Sequence, residues 1–163
     1  MNMNDFFADL LQRNLEMLKM ILADFSDSDM VSRPCPGANH AAWQLGHLIV
    51  SETHLVNNAK PNSMPELPAG FADKFTKETS KLDDPKAFAK KDDMLALMEK
   101  VRAASIRWAK SMTPQDMAVA TTGPIAGFAP TAQHIAALLP DHVAMHVGQF
   151  QVIRRKLGKP ILF

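Results

Sequence analysis

Apolar spacing divides the chain into four amphipathic segments separated by two long irregular stretches. Phe7, Leu11, Leu15, Leu18, Leu22 and Phe25 recur every three or four residues. They predict a first helix from about Asp5 to about Phe25, capped by Asn4 or Asp5, with Arg13, Glu16 and Lys19 off the stripe. Asp27-Ser28-Asp29 and then Pro34-Cys35-Pro36-Gly37 end it in a loop. A second helix is expected from an N-cap at Asn39 to about Asn58, with His40, Trp43, His47, Val50 and His54 on its inner stripe. Residues 60–90 hold Pro61, Pro65, Pro68, Gly70 and Pro85, which suits a crossover with a helical turn near Phe71 to Phe75.

The third helix is expected from about Asp92 to Met112, its buried face marked by Met94, Met98, Val101, Ser105, Trp108 and Met112. A second long connection covers residues 113–130. The fourth segment runs from about Thr131 to about Leu157, with Gly158 as its C′ residue and Pro160 beyond. Its inner stripe reads Ile135, Leu138, Leu139, His142, His146, Gln149 and Ile153. Pro140 removes one backbone hydrogen bond and crowds the preceding turn, so the expectation is a kink there, or two helices with Pro140 opening the second. Four amphipathic helices with two long crossings imply an all-α four-helix bundle, a single domain over residues 1–163.

Composition supports this reading. Apolar residues make up 47% of the chain, enough for a sizeable core, and Tyr is absent while Met numbers 11, so methionine fills space that aromatics would otherwise take. The formal net charge is +1 and the charges are dispersed. Arg154-Arg155-Lys156 with Lys159 reads as a helix end complementing the dipole, not as a nucleic-acid stripe. Cys35 is the single cysteine, so no internal disulfide can form. Met1 to Asp5 lacks the basic start of a signal peptide, and no apolar run reaches the roughly 20 residues of a membrane span. The expectation is a cytoplasmic protein with neither a membrane nor a nucleic-acid partner.

The histidines change the picture. His142 and His146 stand four apart, so on a helix their rings share one face and can converge on one ion. The glutamate of a zinc-protease helix is missing between them. His47 lies on the inner face of another long helix, and facing helices of a bundle supply ligands to a shared interior site. Three neutral imidazoles leave one metal position open. His40 and His54 lie seven residues either side of His47, about 10 Å along the axis, too far to join the same ion. His40 reads as a helix-end residue, His54 as a cavity-lining or proton-transfer candidate, and His134 as surface. No Glu-x-x-His occurs, which argues against a di-iron bundle, and no phosphate-binding loop is present. Cys35 in its Pro-flanked loop reads as an inert thiol.

Trp43-Gln44-Leu45-Gly46-His47-Leu48 with Glu52, then His142-Val143-Ala144-Met145-His146-Val147-Gly148-Gln149, then Ile153-Arg154-Arg155-Lys156-Leu157-Gly158 resemble the DinB/YfiT superfamily in order and spacing. The resemblance implies an up-down-down-up bundle, often dimeric, with a zinc, nickel or iron ion on His47, His142 and His146. It implies a small-molecule substrate and, for some members, a low-molecular-weight thiol as co-substrate; others are described as metal-dependent hydrolases. Gln149, Asp141 and Glu52 are candidates to support the ligands, and His54 is the best candidate base; no catalytic residue is assigned. Two functions follow: a metalloenzyme activating a thiol or water, or a non-catalytic, stress-linked bundle that binds metal or a small molecule.

Overall fold

The computed structural model describes residues 2–162; Met1 and Phe163, the ends of the expected domain, lie outside the described residues. Six α-helices form: α1 (Met3–Leu22), α2 (Asp27–Met30), α3 (Ala41–Ala59), α4 (Lys91–Ser111), α5 (Pro114–Met117) and α6 (Ala132–Lys156). The described residues contain no strand, only an isolated bridge between Ala120 and Thr131. None of their helices is long and apolar enough to cross a membrane.

The four long helices make the predicted bundle. Each of α1 and α3 packs against both α4 and α6. The directions follow from side-chain contacts. Asn4, at the start of α1, donates to the carbonyls of Lys110 and Met112 at the end of α4, while Lys91 reaches Leu22 and Ala23, so these helices are antiparallel. Asn14 meets Pro140 and Arg154 meets Ile21, so α1 and α6 run parallel. Gln44 meets His146, with α3 antiparallel to α6, and His40 meets Phe88 just before α4, with α3 parallel to it. The result is an up-down-down-up bundle, in which the parallel pair α3 and α4 requires the long first connection.

The helix stripes explain the core. Leu11, Leu15, Leu18 and Leu22 of α1 are buried, as are Met94, Met98, Val101, Ser105 and Trp108 of α4. Each such aliphatic side chain removed from water contributes about 1.5–3 kcal/mol. Several boundaries differ from the sequence expectation. Asn2 caps α1, which frees Asn4 to satisfy carbonyls at the end of α4. The helix stops at Leu22 because Ser26 and Asp29 form a capping box that starts α2. His40, not Asn39, caps α3 through Nδ1, which accepts from Trp43 N–H. Pro140 does not divide the fourth segment: α6 continues through it. The proline is buried, and Asn14 of α1 donates to its carbonyl at 3.1 Å, so this stretch of α6 is packed against α1.

The largest departure lies on α3. The expected inner stripe of His40, Trp43, His47, Val50 and His54 is buried only at His40 and Trp43. Leu45, Leu48, Ile49, Glu52 and Val56 are among the buried positions beyond them, because α3 covers both α4 and α6. His47 is half-buried at the edge facing α6, and His54 is exposed. Glu52, a candidate to support the ligands, instead turns towards α4. There its carboxylate lies 2.8 Å from Arg102 Nη2, with both side chains almost fully buried. Arg102 Nη1 also donates to the Leu11 carbonyl of α1 at 3.4 Å. Removing one partner strands a charge in the core. Arg102→Met should therefore cost about 3–5 kcal/mol in urea unfolding, and adding Glu52→Leu should recover most of it. A double variant no more stable than the single one would contradict this pairing.

The candidate metal centre

The first connection builds one side of the site. Phe71 and Phe75 flank a short 3-10 turn (Ala72–Lys74) and are buried against the bundle. The Phe75 ring lies directly on Gly46, where a β-carbon would collide with it. Thr76 accepts a hydrogen bond from Trp43 Nε1 through its carbonyl, at 3.0 Å. The Trp43 indole in turn stacks on the His47 imidazole, ring centres 5.0 Å apart and planes within 7° of parallel. The connection thus fixes Trp43, and Trp43 limits where His47 can turn.

His142 and His146 come from successive turns of α6. Their Nε2 atoms are 3.2 Å apart, and the His47 ring centre lies 5.1 and 5.5 Å from theirs. One nitrogen from each of the three rings can be chosen so that all lie within 4.8 Å of one another. A tetrahedral zinc ion with imidazole bonds of about 2.0–2.1 Å sets nitrogens about 3.3 Å apart, so the closest pair already has that spacing and His47 needs a small rotation. Among the described residues no further His, Cys, Asp or Glu joins the group.

Gln44 was not anticipated as a site residue. It is fully buried, donates through Nε2 to the Asn39 carbonyl at 2.6 Å, and accepts through Oε1 from His146 Nδ1 at 2.7 Å. The amide oxygen fixes the proton on Nδ1 and leaves the His146 Nε2 lone pair pointing at His142. Its signal in the sequence is position: Gln44 is three residues before His47, on the same face of the helix. Ser51, one turn beyond His47, places its hydroxyl 3.4 Å from His47 Nδ1.

Burial keeps the three rings neutral. It lowers the His47 pKa, pushes His142 down to about 4 with a further contribution from His47, and pushes His146 down to about 3, with His142 and His47 adding to the effect. Neutral imidazole is the form that ligates a metal. The site opens into a cleft of about 280 Å³ between α3, α6 and the second connection, with His47 and His142 at one end and His54 in its wall. His146 lies behind them against Gln44. The remaining candidates fall elsewhere: Asp141 and Gln149 are exposed on α6, His40 is buried as the cap of α3, and His134 is exposed beside Thr131. Cys35 is exposed in its loop.

A model of the DinB superfamily matches residues 10–150. No curated protein matches the sequence. Among solved structures, a conserved protein from Enterococcus faecalis superposes with a TM-score of 0.72 at 16% identity, covering 98% of this chain and 99% of its own. YfiT from Bacillus subtilis, described as a probable metal-dependent hydrolase with an unusual four-helix bundle topology, gives 0.70 at 18% identity, covering 96% and 89%. Those identities speak for the fold, and the family match extends over most of the sequence: the chain belongs to the DinB superfamily.

Proposed function

We propose that this protein is a metal-dependent enzyme in which His47, His142 and His146 hold one divalent ion. The observation that carries the reading is the donor set itself: three neutral imidazoles face one another, two of them bordering a cleft, with no fourth ligand among the described residues. Structural zinc sites are usually closed by four protein ligands, whereas three leave a position for water or substrate. Zinc, nickel and iron all suit such a site. The description of YfiT as a probable metal-dependent hydrolase supports the same class of chemistry. Bound there, the ion supplies Lewis acidity at its open position, where it lowers the pKa of a water or a thiol.

The chain's own residues do the rest. Gln44 holds His146 in the ligating tautomer. Trp43 stacks on His47 and covers one face of that ring. His54 lines the cleft about 10 Å along α3 from His47, within range of a substrate's far end but not of the ion. A proton leaving the site would pass to a group on the substrate or to water.

Elemental mass spectrometry of the untagged protein should find about one ion per chain, lost in His47→Ala and His146→Ala. No metal, and no uptake on adding zinc, nickel or iron, would refute the reading. Gln44→Leu should weaken metal affinity about 10–100-fold while the fold is kept, as read by competition with a chelator. An unchanged affinity would show that Gln44 does not orient His146.

The depressed pKa values also give a pH dependence. The unfolded chain protonates these histidines near 6.5, the folded one only near 4 at His142 and 3 at His146. The unfolded state therefore binds more protons below pH 6.5, and stability falls as pH drops through that window. Above it these two groups contribute no slope. Metal-free protein should lose urea stability between pH 6.5 and 5, and His146→Gln should lose less. A flat profile in the parent protein would contradict the burial of neutral rings.

A further inference from the structure

The cleft beside the histidines carries information about what enters it. Its walls away from the cluster are apolar: Leu55 on α3, Leu138 and Met145 on α6, and Ile125 and Phe128 from the second connection. The polar groups in the wall are Ser51 and His54, both on α3, and no lysine, arginine, aspartate or glutamate lines it. Phe128 and Met145 are 71% and 58% exposed, so two large apolar side chains stand at the rim. The second connection is not a loose flap. Asn58 at the end of α3 donates to Thr122 and accepts from its N–H, and Thr121 Oγ1 donates to the Ala129 carbonyl, which holds Phe128 beside the opening.

We propose that the ligand of this cleft is a compact molecule with an uncharged, apolar body against Leu138, Ile125 and Phe128 and a metal-seeking head at His47 and His142. The position of the head rests on the metal reading above; the nature of the body rests on the walls alone. A volume of about 280 Å³ lies near the lower end of the roughly 300–1,000 Å³ of small-molecule sites, which favours a compact ligand. A carboxylate on the body, held away from the ion, would meet no charged side chain in the wall. The walls thus disfavour a ligand whose body carries carboxylates and favour one whose body is neutral, with any charge confined to the metal-seeking head. The hydroxyl of Ser51 and the imidazole of His54 offer such a molecule hydrogen bonds without asking it to carry charge.

The test uses the cobalt(II)-loaded protein titrated with phenylmethanethiol and with the dianionic mercaptosuccinate, followed by the sulfur-to-cobalt absorption band. Phenylmethanethiol should bind at least about tenfold more tightly. Phe128→Ala should remove most of that preference, and Phe128→Lys should raise the affinity for mercaptosuccinate. Phe128 is solvent-exposed, so neither change threatens the fold. Equal or tighter binding of mercaptosuccinate by the parent protein, or a preference untouched at Phe128, would overturn the proposal. A second arm uses metal-free protein and benzyl alcohol, read by the Met145 methyl resonance in NMR. A saturable shift lost in Phe128→Ala supports the apolar site even if cobalt is never taken up, an outcome that would defeat the metal reading alone. Absence of any saturable shift at Met145 would overturn the proposal whatever the metal result.

Discussion

The hydrogen bond from His146 Nδ1 to Gln44 Oε1 joins the two helices that make the site and settles the chemistry of one ring. It lies at the antiparallel contact of α3 and α6, buried, with Gln44 anchored in turn to the Asn39 carbonyl just before the helix begins. An imidazole taken out of water must place both nitrogens. With Nδ1 committed to the amide, Nε2 is left to face His142 and, across the helix interface, His47. The same burial that demands the hydrogen bond holds the rings neutral, so the conditions for ligation and for packing are met by one arrangement.

Around that contact the long connections act as supports and not as spacers. The first lays Phe75 on Gly46 and accepts the Trp43 indole N–H, so the early turns of α3 are held from outside the bundle. The second is tied to the end of α3 through Asn58 and supplies Ile125 and Phe128 to the cleft. The parallel pair α3 and α4 requires the first crossing, and both connections shape the space next to the histidines. On the other side of α3, Glu52 and Arg102 form a buried pair that ties α3 to α4, and Arg102 reaches on to α1. Its orientation away from the histidines keeps a charged carboxylate out of the cluster.

Much of this was legible in the sequence. The leucines of α1 and the methionines of α4 recur at helical spacing and are buried as that spacing requires. His142 and His146 meet because i and i+4 share a face whatever the rest of the fold does. The structure brings His47 beside them from a different helix, and there the periodic reading misplaced its surroundings. It treated the whole histidine stripe as the core of α3, whereas beyond Trp43 the core face is the one with Leu45, Leu48 and Ile49, and His47 stands at the edge against α6. A helix packed on two neighbours buries more than one stripe, and spacing alone cannot tell which edge faces which partner. Gln44 and Arg102 were missed for a related reason: a buried polar group is defined by its partner on another helix. Pro140 misled because its cost was legible and the contact with Asn14 that accompanies it was not.

The central claim is that three imidazoles, and only those, bind the ion from this chain. X-ray absorption at the metal edge of the loaded protein tests it most directly. The spectrum should carry the multiple-scattering features of three histidine rings plus one light, exchangeable ligand, and of two rings when His47 is replaced by alanine. A spectrum with fewer than three imidazoles in the parent protein, or with a fourth protein ligand closing the site, would contradict it.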